Sequence, residues 1–157
     1  MEQKTKITAE GSKQELLITR EFDLPVELLF KAYMEPEIVE QWMGTKVLKL
    51  ENKKHGSYQF ETTDAKGNRY GFNGTIHEFS PDPKIIRTFE FENMPFGVQL
   101  EVLEFEQLTA GTSKLIMHSI YESVTQRDQV LQMPFAQGIN MAHNRLQDVV
   151  RKLNNLL

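Results

Sequence analysis

The 157-residue sequence contains no cysteine, which excludes disulfide bonds, thiolate metal sites and cysteine nucleophiles. It also lacks an excess of positive charge: the net charge is -4, so broad electrostatic binding to nucleic acid is not expected. No stretch approaches the roughly 20 apolar residues of a membrane span, and the polar N-terminal segment has no apolar signal core. We therefore expect a cytoplasmic protein with neither a membrane nor a nucleic-acid partner.

Recognisable catalytic and metal-binding motifs are missing as well. The sequence has no H-x-x-x-H or H-E-x-x-H spacing, no G-x-S-x-G elbow, no P-loop and no G-x-G-x-x-G fingerprint. The histidines are dispersed, at His55, His77, His118 and His143, and each is most simply interpreted as a solvated or hydrogen-bonded side chain. His118 is the most interesting because its strand should lie beside the C-terminal helix. We predict no catalytic residue, no metal site and no cofactor.

The glutamates and arginines of the predicted strands could be either solvated or part of a functional site. Glu104 and Glu106 share one face of a predicted strand, whereas Glu101 lies on the other face. A solvated outer face is the simpler interpretation of these glutamates, and a buried pair that does acid–base chemistry is the other. Three arginines could anchor a carboxylate or phenolate of a ligand, and the sequence does not show which of them points inward: Arg20, Arg69 and Arg87.

The strongest pattern lies at the C-terminal end, in residues 134–157. Apolar residues recur there at alternating steps of four and three, as Phe135, Ile139, Ala142, Leu146, Val149, Leu153 and Leu156. This spacing predicts a long amphipathic helix, opened by Pro134, that needs an apolar partner surface. Its other face, which includes Asn140 and His143, is expected to stay in water.

Most of the preceding chain reads as strands with short connections. The first strand spans 16–22, after a strand-like piece at 6–9, and Pro25 and Pro36 open two short helices, the second ending at Gly44. Strands follow at 47–50, 57–62, 70–77, 85–92, 98–105 and 115–121, and 123–133 is a short helix or an ordered loop. In 98–105 the apolar parity changes, which indicates either a bulge near Val102 or a strand apolar on both faces.

Short links predict antiparallel pairing. The predicted fold is therefore α+β: a curved antiparallel sheet of about six strands wrapped around the long C-terminal helix, with two short helices after the first strand, in one domain over residues 1–157.

The aromatic and apolar positions facing the predicted interior have two interpretations. They could form an ordinary filled core, or they could line a cavity for an apolar ligand between sheet and helix. The candidate cavity residues are Trp42, Tyr58, Phe60, Tyr70, Phe72, Phe89, Phe91, Met117, Phe135 and Ile139.

Three stretches resemble a known family: residues 18–33 with ITREFDLPVELLFKAY, Glu35-Pro36-Glu37 with Gln41-Trp42, and residues 74–81 with GTIHEFSP. They are similar to the START-like superfamily and, within it, to the domain shared with the C-terminal part of the activator of Hsp90 ATPase. The resemblance covers about 16–155 and implies the helix-grip fold. One departure is that Gly138 is followed by Ile139, where the family commonly carries a tryptophan.

The resemblance implies a choice among functions, because related small proteins are mostly binders of lipids, polyketides or other apolar molecules and some are cyclases or dehydratases. Our first hypothesis is a non-catalytic protein that binds an apolar or aromatic small molecule. The alternatives are an enzyme of the cyclase or hydrolase type that uses the same cavity, and a protein-interaction module that contacts an Hsp90-type chaperone. Homodimer formation through the outer face of the sheet is compatible with each of them.

Overall fold

The computed structural model describes residues 5–80 and 83–155, which form one antiparallel sheet and four helices. The elements are β1 (Lys6–Thr8), β2 (Glu15–Phe22), α1 (Val26–Met34), α2 (Pro36–Met43), β3 (Lys46–Leu50), β4 (Ser57–Thr63), β5 (Arg69–Ser80), β6 (Lys84–Phe91), β7 (Val98–Thr109), β8 (Thr112–Ile120), α3 (Val124–Gln132) and α4 (Phe135–Asn155).

The sheet has eight strands in the order β1-β2-β8-β7-β6-β5-β4-β3. The prediction of an antiparallel sheet is confirmed, but the predicted count of about six strands is too low. That count corresponds to β3–β8, which follow one another along the chain with short connections. Strand β2 pairs over its full length with β8, and the short β1 extends the same sheet by pairing with β2.

The two short helices begin and end at the residues that local chemistry favours. Pro36 occupies the first turn of α2, where its missing N–H is no loss, and Gly44 ends that helix in the left-handed region with φ 64°. Helix α1 has Pro25 as its N-cap. The carbonyl oxygen of Pro25 accepts hydrogen bonds from the N–H groups of Leu28 and Leu29, each at 3.1 Å.

Strand β7 is apolar on both faces and has no bulge at Val102. Its pairing with β8 runs without a shift from Leu100 to Gln107. Leu103 and Phe105 are buried on the concave face, while Val98 and Leu100 are exposed on the outer face. The change of apolar parity therefore reflects two different environments and not an extra residue.

Helix α4 lies over the concave face of the sheet. Leu146 and Val150 are buried in one cluster with Leu16, Ile18 and Leu115 of the sheet. The apolar stripe up to Leu153 is partly or fully buried, and Leu156 lies outside the described residues. Together with the sheet order, this packing gives the helix-grip arrangement.

His143 corrects the prediction for the polar face of α4, because it is buried and not solvated. Its Nδ1 atom lies 2.8 Å from the hydroxyl oxygen of Thr5, and its ring meets the ring of Phe22 edge-on at 5.6 Å. Thr5 in turn accepts a hydrogen bond from Arg20 at 3.3 Å. Burial, assisted by the charge of Arg20, lowers the pKa of His143 to about 3.

This pKa predicts a loss of stability in acid. In the unfolded chain the pKa of histidine is about 6.5, so between that pH and about 3 the unfolded state binds a proton that the folded state excludes. The free energy of unfolding should therefore fall by roughly 2 kcal/mol more in the wild type than in His143→Gln between about pH 7 and about pH 4.5. Denaturant unfolding of both proteins at the two pH values measures this difference. His118→Gln, changed on the outer face, is the control, and equal acid losses in wild type and His143→Gln would contradict the prediction.

A second apolar cluster lies under α2. It joins Val39 of that helix to Tyr58, Phe60, Phe72 and Ile76 of β4 and β5. The concave face is thus covered by three helices: α4 lies over one part, α2 over another, and α1 packs against β7 and β8. No helix in the described part of the chain is both long and apolar enough to cross a membrane.

Candidate functional site

A cavity of about 220 Å³ lies between the concave face of β6–β8 and helices α1, α2, α3 and α4. The segment between β6 and β7 forms a further part of its wall. The lining side chains are mostly aromatic or aliphatic, and the lining residues are Tyr33, Trp42, Met43, Arg87, Phe89, Phe91, Phe96, Gly97, Gln99, Glu101, Met117, Val130, Met133, Phe135, Ile139, Ala142 and His143.

The volume limits what this cavity can hold. An apolar cavity of about 150 Å³ in another protein binds benzene, whereas drug-sized ligands occupy pockets of about 300–1,000 Å³. The space here therefore suits a molecule of one or two rings.

The structure divides the ten candidate cavity residues into two sets. One set lies in the wall of the cavity: Trp42, Phe89, Phe91, Met117, Phe135 and Ile139. The other set lies outside it: Tyr58, Phe60, Tyr70 and Phe72.

Packing explains the second set. Tyr58, Phe60 and Phe72 are buried in the cluster under α2. Their strands, β4 and β5, lie outside the part of the sheet that α4 covers. Tyr70 is 43% exposed near the turn before β5, and its hydroxyl donates a hydrogen bond to Asp64 at 3.2 Å. Alternating apolar residues show which face of a strand is buried, but they do not show which helix buries it.

An ion pair lies in this largely apolar wall. The Nε atom of Arg87 donates to Oε1 of Glu101 at 3.0 Å, and the amide of Gln99 donates to Oε2 of Glu101 at 3.0 Å. The side chains of Arg87 and Glu101 are only 12% and 5% exposed. The solvated interpretation of the glutamates is therefore wrong for Glu101, although it describes the exposed Glu104 and Glu106.

Of the three candidate anchors, only Arg87 is among the cavity-lining residues. Arg20 is buried beside Thr5, and Arg69 is exposed.

Tyr58 supports Arg87 although it does not line the cavity. The guanidinium carbon of Arg87 lies 5.2 Å from the centre of the Tyr58 ring, within cation–π range. The Tyr58 hydroxyl is fixed by donating to the carbonyl oxygen of Thr88 at 2.5 Å. Burial alone would lower the pKa of Arg87, but Tyr58 and Glu101 outweigh it and the pKa is raised. Arg87 is therefore held in its charged form.

Tyr33 is a polar wall residue that the sequence interpretation missed. Its ring is fixed between Trp42 at 5.1 Å and Phe105 at 5.2 Å, and the residue is 7% exposed. Burial raises its pKa, so the hydroxyl stays protonated. Its helical spacing with Val26 and Leu29 in α1 was the available signal, because that spacing places it on the apolar face of the helix.

Residues 5–80 and 83–155 contain no group of three or more histidine, aspartate or glutamate side chains placed to hold a metal ion. His118 is partly exposed in β8, on the face of the sheet opposite to Met117 and Ser119. It lies opposite Val102 and Leu17 in the neighbouring strands, away from the cavity.

Comparison with known structures shows the same fold in several bacterial proteins. Protein Ms6760 from Mycobacterium smegmatis superposes with a TM-score of 0.83 at 22% identity, over 93% of this chain and 96% of that one. A Rhodobacter sphaeroides protein gives 0.85 at 22% identity over 95% and 99%, and an Arthrobacter aurescens protein gives 0.84 at 16% over 94% and 91%. At these identities the likeness shows the fold alone.

Sequence comparison identifies the family. No curated protein matches the chain. The family profile described as activator of Hsp90 ATPase homolog 1-like protein matches residues 23–151, which include both short helices, strands β3–β8 and most of α4. The resemblance inferred from the first strand, the two short helices and the central strand is thereby confirmed: the chain belongs to the activator of Hsp90 ATPase homolog 1-like family.

Proposed function

We propose that this protein binds an apolar or aromatic small molecule in the cavity between the sheet and α4, without catalysing a reaction. The observation that carries the proposal is the wall itself, in which mostly aromatic and aliphatic side chains from the sheet and all four described helices surround a space of about 220 Å³. Such a space, apolar with a few polar groups, is the usual form of a small-molecule site.

Burial of the ligand supplies the binding energy. A molecule with about 250 Å² of apolar surface gains roughly 6 kcal/mol at about 25 cal/mol per Å², before the cost of association is subtracted. Because about 6 kcal/mol corresponds to a dissociation constant of about 30 μM, affinities weaker than this are expected for a ligand of one or two rings.

The polar groups of the wall favour binding over catalysis. Glu101 is the only carboxylate among the described lining residues, and both of its oxygens already accept hydrogen bonds. The described wall contains no serine, threonine or lysine that could act as a nucleophile. Burial and the charge of Arg20 lower the pKa of His143 to about 3, which is too low for an efficient general base near neutral pH.

An Ile139→Asp variant should lose ligand uptake by at least about tenfold, because a charge in the wall makes the cavity unfavourable for an apolar molecule. Indane, an uncharged two-ring hydrocarbon, is a suitable probe. The only tryptophan of the chain, Trp42, lies in the wall, so its emission reports the uptake directly, and calorimetry gives the affinity.

Met141→Asp is the matched control, since Met141 lies two residues away on the same helix and is 50% exposed. It should bind indane as the wild type does. A folded Ile139→Asp variant with wild-type affinity for indane would refute the proposed site.

A further inference from the structure

We propose that the ligand carries one uncharged acceptor oxygen, such as the carbonyl of an aryl ketone, and that Tyr33 and Arg87 bind this oxygen. The inference rests on the proposed function and specifies the chemical class of the ligand. It follows from two hydrogen-bond donors in the wall and from the balance of charge around them.

Tyr33 supplies the first donor. It lines the cavity and is more than nine-tenths buried, yet its hydroxyl makes no hydrogen bond to any described residue. The fully buried side-chain atoms without a partner in the described part of the chain belong to Ser119 and Tyr121, so the Tyr33 hydroxyl keeps accessible surface and can be reached by a ligand acceptor. The contacts of its ring with Trp42 and Phe105 hold the hydroxyl in place before any ligand arrives.

Arg87 supplies the second donor. Its described hydrogen bond uses only Nε, which donates to Glu101, and its terminal nitrogens have no hydrogen-bond partner within 5–80 and 83–155. Glu101 and the Tyr58 ring hold the guanidinium in place, so the side chain is preorganised. Arg87 and Tyr33 line the same cavity. Their donors are therefore open to the same ligand.

The charge of the wall selects an uncharged acceptor. Arg87 is already balanced by Glu101, and His143 is neutral. A ligand carboxylate would add an unbalanced negative charge to a largely apolar cavity, which is costly. A carbonyl oxygen accepts both hydrogen bonds without adding charge. This argues against the carboxylate or phenolate that an arginine anchor first suggests.

Three compounds of nearly the same shape test this inference. Acetophenone, α-methylstyrene and benzoate share a phenyl ring and differ in presenting a carbonyl, a hydrocarbon or a carboxylate. Their affinities are measured by calorimetry for the wild type, Tyr33→Phe and Tyr121→Phe. Tyr121→Phe is the matched control, because Tyr121 has a buried hydroxyl without a described partner but is not among the cavity-lining residues.

We expect the wild type to bind acetophenone more tightly than α-methylstyrene, although the hydrocarbon is the more apolar compound, and to bind benzoate weakly. Tyr33→Phe should weaken acetophenone binding about tenfold, the effect of one lost hydrogen bond, and leave α-methylstyrene binding unchanged. Tyr121→Phe should leave all three affinities unchanged.

Tighter binding of α-methylstyrene or of benzoate than of acetophenone by the wild type would overturn the inference. Equal losses for acetophenone and α-methylstyrene in Tyr33→Phe, or no loss for acetophenone, would also overturn it. If indane binds but acetophenone does not, the inference fails while the proposed function stands. If indane and all three compounds fail to bind, both fail.

Discussion

An Arg87→Met variant is expected to lose about 3–5 kcal/mol of stability, because it leaves the carboxylate of Glu101 buried without its counter-charge. Glu101 is 5% exposed, so water cannot replace the guanidinium. The double variant Arg87→Met/Glu101→Met removes both charges and should recover most of this loss, since apolar side chains suit the surrounding wall. Denaturant unfolding of the wild type, the single variant and the double variant measures both effects.

Lys13→Met is the control for this prediction. It breaks the ion pair between Lys13 and Glu10, whose side chains are 55% and 64% exposed. This change should cost no more than about 1 kcal/mol, because water solvates the remaining carboxylate. A double variant as unstable as Arg87→Met would show that the ion pair itself stabilises the fold, contrary to our expectation.

A Gly74→Ala variant should lose at least about 3 kcal/mol, although it adds only one methyl group. Gly74 lies opposite Tyr58 in β4, and the Tyr58 ring passes over it. A Cβ atom at Gly74 would overlap the backbone carbonyl oxygen of Thr88 and approach the Tyr58 ring to 2.6 Å. The ring must then leave its place, which also removes the hydrogen bond to Thr88 and the contact with Arg87.

Gly111→Ala is the matched control, because a Cβ there meets no atom within 4 Å and its φ is not positive. Its unfolding midpoint should stay close to that of the wild type. Equal midpoints for Gly74→Ala and Gly111→Ala would show that the Tyr58 ring is free to move aside.

The sequence predicted the helices and strands because hydrophobic spacing and helix-end residues act over a few neighbouring positions. The spacing from Phe135 to Leu153 indicates one helix face, and α4 uses that face. Pro36 marks the start of α2 because the first turn of a helix does not need its N–H, and Gly44 marks the end because the backbone there has a positive φ. The strand-like piece at 6–9 forms β1 (Lys6–Thr8), but its place at the edge of the sheet depends on pairing with β2, which so short a pattern does not indicate.

The candidate site was less predictable because it depends on register. Arg87 and Glu101 become partners only when β6 and β7 pair so that these two residues stand opposite each other. Phe72 and Phe89 are both aromatic strand residues, yet the first packs under α2 and only the second reaches the cavity. Which helix covers which strand is a tertiary choice that strand alternation does not encode.

The strand order also determines how the molecule can assemble during synthesis. Strands β3–β8 pair with their neighbours along the chain, so each can join the sheet as soon as it is made. Strand β2, in contrast, pairs with β8, which emerges from the ribosome last of all the strands. Until then β2 can pair only with the short β1, and its other edge remains open to other chains. The core can therefore close only after β8 has been made and α4, which supplies Leu146 and Val150 to the same cluster, has followed it.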